Sequence, residues 1–300
     1  MCGRWVCGPL DEADITSFRI AVAVVVCAAV VVWAAAVEAL EPAVTISNAQ
    51  PDEHGVLAHE VRSPYQAGTT QIRVLLPSEL EQGRRYPVVY LLPVEAGTGN
   101  RYGDGLLEVR GHGLADRHGV IFVAPTFSHL PWYADHPTDP EIRQETYFLR
   151  VVLPFVEEQY AALAERDGRL LLGFSKSGWG AFALVLRHPE VFGKAAAWDA
   201  PLAMEKPDRY GMGEIFATEE NFQRYQITRL LEQAGPDLRV QTRLVLLGYG
   251  NFRAQHHETH ELMNRLGIPH HCRDGPQRKH DWHSGWVEEA LELLFEERRR

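Results

Sequence analysis

The run GFSKSGWGA, Gly173 to Ala181, sets two serines and a lysine where the apolar stretch Leu170-Leu171-Leu172 gives way to FALVLRHPE. A serine hydroxyl ionises far above neutrality, so it attacks a carbonyl only with a base in hydrogen-bond reach and donors for the oxyanion it creates. A strand that turns abruptly into a helix supplies part of this. The bend pushes Oγ outward, and the first helical turn offers free N–H groups at the positive end of the helix dipole. The signature of such an elbow is G-x-S-x-G, with small residues that let the turn close. Gly173-Phe174-Ser175-Lys176-Ser177-Gly178 keeps the first glycine and has Ser177 for the second. Ser175 is therefore a candidate nucleophile, although an inert helix cap after a strand would read the same way.

A candidate base lies near the C-terminus. KHDWHSGW, Lys279 to Trp286, puts His280 in a loop after the strand-like IPHHCRDG and before the last helix. The chain order serine, acid, histidine would place a base there. Trp282 and Trp286 beside it can fix a ring, which a solvated loop histidine would not need.

Other chemistry-bearing residues carry less. His256 and His260 stand four apart in QHHETH, on one face if the segment is helical, but the string is not H-E-x-x-H and a solvated helix surface explains it. Lys176 does not face Ser175, because adjacent helical residues diverge, so its side chain is expected in solvent. GTGNRYGDG, Gly97 to Gly105, lacks the G-K-[ST] ending of a phosphate loop and reads as a flexible loop lining the site. No metal and no cofactor are expected.

The elements that must position these residues alternate along the chain. AHEVRS (58–63) and QIRVLLP (71–77) alternate apolar and polar residues around GTT and read as a hairpin. The stretches at 87–94, 119–125, 169–174, 194–199 and 243–250 are continuous apolar runs, as central parallel strands buried on both faces require. Amphipathic helices at 145–163, 258–266 and 286–297 intervene. The pattern predicts an α/β fold with a mixed, mostly parallel sheet wrapped by helices. Ligands in such sheets bind beyond the carboxyl ends of the strands. That focuses attention on Pro93-Val94-Glu95, Ser175, Asp199-Ala200-Pro201, Asn251-Phe252 and His280. The long segment Met204 to Gln233 is expected to form a partial lid. Phe127, Trp132, Tyr133, Trp179, Phe216, Phe222 and Tyr225 suit either an acyl or sugar platform or core packing.

With 300 residues, 45 % of them hydrophobic, the chain is long enough for one large α/β unit. A formal charge of −10 argues against tracking along nucleic acid or adhering to an anionic membrane surface. The uncharged run Ile20 to Val37 follows Arg4 and Arg19 and precedes Val37-Glu38-Ala39. It reads as a signal peptide cleaved after Ala39, as a retained anchor or as a buried helix of the fold. Residues 1–39 are thus assigned as leader and 40–300 as the working domain, expected outside the cytoplasm and touching a membrane only through an uncleaved leader. Of four cysteines only Cys272 falls in that domain, so no internal disulfide is expected.

The chain resembles the esterase D, feruloyl esterase and mycolyltransferase group of α/β-hydrolases. The resemblance runs from about Glu60 to the last helix. VLLP (74–77), YPVVYLLP (86–93), WYAD (132–135), ETYFLRVVLPFVEEQY (145–160), GFSKSGWGA, HPEVFGKAAAWDAP (188–201) and His280-Asp281-Trp282 carry it. It implies an α/β-hydrolase fold and a serine carboxylesterase or acyltransferase, with Ser175 as nucleophile, His280 as base and a small-molecule or carbohydrate ester as substrate. Two features depart from the group. Where an acid is expected after the strand at 243–250 the chain offers Asn251, which cannot stabilise an imidazolium by charge. Asp199, at the end of the neighbouring strand, is the preferred acid; Glu258, another carboxylate or no acid at all remain open. The group also follows its third strand with His-Gly, whereas here Pro93-Val94-Glu95-Ala96-Gly97 stands. Lys176 N–H is the first oxyanion donor expected, with Val94 or Glu95 N–H as the second. A Glu95 carboxylate facing the oxyanion would be unfavourable unless it turned away or paired with a cation such as Arg101. A fold kept only for binding is the competing reading.

Overall fold

The computed structural model describes residues 43–296; the segment 1–39 expected to be a leader lies outside these. The apolar runs become strands because each buries both faces. β5 (Val88–Leu91), β6 (Ile121–Pro125), β7 (Arg169–Phe174), β8 (Lys194–Trp198) and β9 (Leu244–Tyr249) pack side by side with nearly every residue buried. β3 (Leu57–Arg62) and β4 (Thr70–Leu75) form the expected antiparallel hairpin, and β10 (His270–Gln277) closes the far edge. Two short strands precede the hairpin: β1 (Thr45–Ile46) and β2 (Gln50–Pro51) both pair antiparallel with β3. The sheet order is β1-β3-β4-β6-β5-β7-β8-β9-β10, parallel from β6 through β10 and antiparallel from β1 to β6.

Strand periodicity divides the core in two. Val88, Tyr90, Leu171, Ala195, Ala197, Leu244 and Leu246 face one layer, which holds the helix Ser175–Arg187 and the helical stretch around Phe148. Val89, Leu91, Leu170, Leu172, Ala196, Trp198, Val245 and Leu247 face the other, which holds the helices Gly105–Gly111 and Val287–Phe295. The chain therefore adopts a mixed α/β fold of three layers. Small residues bring the Ser175–Arg187 helix close: a Cβ at Gly180 would lie 2.0 Å from the Tyr133 ring, and one at Gly178 would lie 2.8 Å from Ala200 Cβ.

The predicted helix at 145–163 is interrupted. Gln144–Tyr147 and Leu153–Gln159 are α-helical, with a π-helical turn Phe148–Val152 between them. Pro154, two residues beyond the turn, has no N–H to give to the ladder. The segment 204–233 folds into the short helices Met212–Phe216, Glu219–Gln223 and Ile227–Glu232. They bury Met212, Phe216, Phe222, Ile227 and Leu231 in the core, so most of this segment is packing rather than lid.

Candidate active site

β7 ends at Phe174 in extended conformation, and the helix begins at Ser175 with φ of 52°, a left-handed value that costs a non-glycine residue about 1–3 kcal/mol. Ser177 does more than stay small. Its buried hydroxyl accepts the Phe174 N–H at 3.1 Å and donates to the Phe174 carbonyl at 2.9 Å, which ties the elbow shut. A serine at the third helical position was the sequence signal for this role. Gly173 has no alternative, since a Cβ there would sit 2.4 Å from the Ser177 carbonyl oxygen. The Ser175 N–H donates to the Asp199 carbonyl at 3.2 Å, so the elbow is hooked to the end of β8. The Lys176 N–H lies in the first helical turn, where helix geometry gives it no intrahelical acceptor.

Asp199 also has a positive φ, 41°, and its side chain is inaccessible to solvent. Its carboxylate accepts the Asn251 N–H at 2.8 Å and the Phe252 N–H at 2.7 Å, and His280 Nδ1 lies 2.6 Å from its Oδ2. Burial alone would raise the pKa of this carboxyl. Hydrogen bonds from His280 and from the backbone of Gly250, Phe252 and Asn251 outweigh it and hold the pKa below its ordinary value. A carboxylate is thus held ionised against the imidazole, with Nδ1 as donor and Nε2 left as the free ring nitrogen.

The other candidate acids stand apart from His280. Asn251 gives Asp199 its backbone N–H and exposes its side chain, and Glu258 is exposed on the helix Arg253–Leu266. Among the described residues, no hydrogen bond joins Ser175 Oγ to His280 Nε2. Contact between their surroundings is nevertheless direct, because the Phe174 ring meets the His280 ring edge-on at 5.1 Å.

Four aromatic rings surround His280: Phe174, Tyr102 at 5.8 Å, Phe252 at 5.9 Å and Trp198 at 6.0 Å. Trp282 and Trp286 act one step removed, packing on Phe174 and, for Trp286, on Trp198. The seven aromatics weighed as a substrate platform are all buried. Tyr210 instead reaches this region from the 204–233 segment: it is 49 % exposed and meets Phe252 edge-on.

On the oxyanion side, the Tyr133 hydroxyl donates to the Pro93 carbonyl at 2.7 Å. The planar trans peptide then turns the Val94 N–H to the opposite side. Glu95 is not paired with Arg101, whose guanidinium stacks over Tyr102. One carboxylate oxygen of Glu95 accepts the Tyr102 N–H at 3.3 Å, within its own loop. Lys176 is half-buried rather than solvated. Desolvation lowers the pKa of its ammonium, and the nearby charge of Glu95 pulls the other way. A cavity of about 50 Å³ is lined by Arg73, Glu95, Asp104 and Trp282.

His256 is not on a solvated face. It is buried, its Nε2 accepts the Ala200 N–H at 2.8 Å, and burial lowers its pKa to about 4, so it stays neutral and braces the turn after Asp199. His260 Nδ1 lies 2.7 Å from His270 Nε2. No group of three or more candidate metal ligands is assembled among the described residues.

Residues 63–289 match the family model described as "Putative esterase". The chain belongs to that family. An esterase of Mycobacterium tuberculosis, found in two strains, is 30% identical over 140 residues, covering 45% of this chain and 30% of the relative. The match thus spans less than a third of that longer protein. Two solved structures share the fold. A ferulic acid esterase superposes with a TM-score of 0.59 at 24% identity, covering 84% of this chain and 96% of the other. An S-formylglutathione hydrolase from Agrobacterium tumefaciens gives 0.64 at 16% identity, covering 84% and 99%. These neighbours agree with the resemblance drawn from the motifs and identify the mixed sheet as an α/β-hydrolase fold.

Proposed function

We propose that this member of the esterase family is a serine carboxylesterase in which Ser175, His280 and Asp199 act together. The observation that carries the reading is the solvent-free Asp199 carboxylate, fixed by two backbone N–H groups and bonded to His280 Nδ1, beside a strained elbow that bears the serine. His280 Nε2 takes the Ser175 Oγ proton as Oγ attacks the ester carbonyl. The tetrahedral oxyanion is held by the Lys176 N–H and by the N–H of Val94 or Glu95. Collapse expels the alcohol, which receives the proton from His280 and leaves an acyl-Ser175 ester. Water, deprotonated by the same nitrogen, attacks the acyl carbon, releases the acid and returns the proton to Oγ. An alcohol acceptor in place of water would make the same steps an acyl transfer.

A neutral ester of a small molecule or carbohydrate suits the acidic surface. The sequence of Ile20–Val37 supports an extracytoplasmic setting, by secretion or through an anchor. A fluorophosphonate probe tests the central step. It is expected to label the folded protein once, with loss of labelling in Ser175→Ala; equal labelling of the variant would move the nucleophile away from Ser175, and no labelling of the wild type would leave only a binding role for the fold.

A further inference from the structure

The loop Gly97 to Gly105 contributes no triad residue, yet its far end is bonded to the segment that carries His280. The Trp282 N–H donates to the Tyr102 carbonyl at 2.8 Å, and the Asp104 N–H donates to His283 Nε2 at 3.3 Å. An amide N–H can only donate, so Nε2 is the unprotonated nitrogen of a neutral ring. Nδ1 then carries the hydrogen and gives it to Glu108 Oε2 at 2.7 Å. Glu108 lies on the helix that follows the loop and is buried, with His112 on its other oxygen at 3.4 Å. The Asp104 carboxylate is engaged elsewhere, by Arg73 at 2.6 Å.

The His283 side chain is 49 % exposed, but one edge of its ring is closely approached. Gly103 has φ of 83°, and a Cβ there would lie 2.5 Å from His283 Cδ2. At the near end of the same loop, Glu95 accepts the Tyr102 N–H, and Tyr102 is one of the rings around His280. The oxyanion side and the base are therefore joined through Tyr102, Asp104 and His283.

We propose that His283 is a positioning residue: by donating to Glu108 and accepting from Asp104 at once, it holds the Gly97–Gly105 loop, and with it Val94 and Glu95, in register with His280. Its catalytic consequence rests on the esterase reading above; its structural part does not. Alanine can neither donate nor accept here, whereas glutamine keeps an acceptor for Asp104.

The test uses full-length protein and two readouts. In His283→Ala, peptides covering Tyr102 to Gly105 are expected to exchange amide hydrogen at least about ten-fold faster while those of β7 are unchanged. With p-nitrophenyl acetate, kcat per phosphonate-titrated site is expected to fall about ten- to hundred-fold with KM nearly constant, and His283→Gln to recover most of it. Counting titrated sites separates this from a smaller folded fraction. Unchanged loop exchange in His283→Ala, kcat per site within two-fold of wild type, or a glutamine variant as slow as alanine would each overturn the proposal. A wild type that takes no phosphonate defeats the esterase reading instead, and the exchange comparison still decides the loop contact.

Discussion

Replacing Asp199 with asparagine removes one charge and almost no volume, and the surrounding donors dictate where the new amide points. Oδ1 receives the Phe252 N–H at 2.7 Å and shares the Asn251 N–H, 2.8 Å from both oxygens, with Oδ2, so the amide oxygen is expected at Oδ1; an NH2 there would face two backbone donors, whereas at Oδ2 it faces only the shared one. The NH2 then occupies the Oδ2 position, 2.6 Å from His280 Nδ1. It can only donate, so it selects the ring tautomer with the hydrogen on Nε2, which cannot take a proton from Ser175. Loss of charge compounds the effect, because an imidazolium forming at His280 loses its counter-ion. Together these are expected to lower kcat about 10³- to 10⁴-fold, equivalent to about 4–5 kcal/mol in the barrier. Turnover of a chromogenic ester per mole of folded protein would measure it, with thermal unfolding as the control for folding. A folded Asp199→Asn protein within ten-fold of wild-type kcat would refute the assignment and the tautomer argument with it.

Two further outcomes follow from contacts elsewhere. Gly173→Ala forces a Cβ against a backbone oxygen that cannot move without opening the elbow, so it is expected to cost about 3 kcal/mol in urea unfolding and to abolish phosphonate labelling; near-wild-type stability would mean that the turn is more pliant than its geometry implies. Glu145 is a buried carboxylate whose pKa burial would raise, but hydrogen bonds from His188 and Arg187 lower it from 4.5 to about 2. A depressed folded-state value stabilises the fold above the unfolded pKa, and that stability is lost as pH falls from about 4.5 toward 2. Wild type is expected to lose on the order of 3 kcal/mol across that window. Glu145→Gln should show a shallower acid limb in Tm against pH, and an equally steep limb would assign the loss to other carboxylates.

Much of the scaffold was legible because its signals are local. Continuous apolar runs fixed β5 to β9, alternation fixed the β3–β4 hairpin, and Gly173 before Ser175 marked the bend, since each reports burial or backbone conformation within a few residues. Chain order and neighbouring tryptophans singled out His280. What the sequence could not decide were encounters between distant segments. Asp199 meets His280 across 81 residues of chain, and only the side-by-side packing of β8, β9 and β10 brings their end loops together while turning Asn251 into a backbone donor. The same holds for the aromatics, whose identity suits a platform or a core equally well and which the helix layer buries. Glu95 turns into its own loop for a related reason: the Tyr102 N–H that donates to it belongs to a residue whose carbonyl is held by the Trp282 N–H from the far end of the chain. Local patterning sets which residues bend, alternate or hide, whereas the pairing of charges and rings depends on the loops that tertiary packing brings to the same end of the sheet.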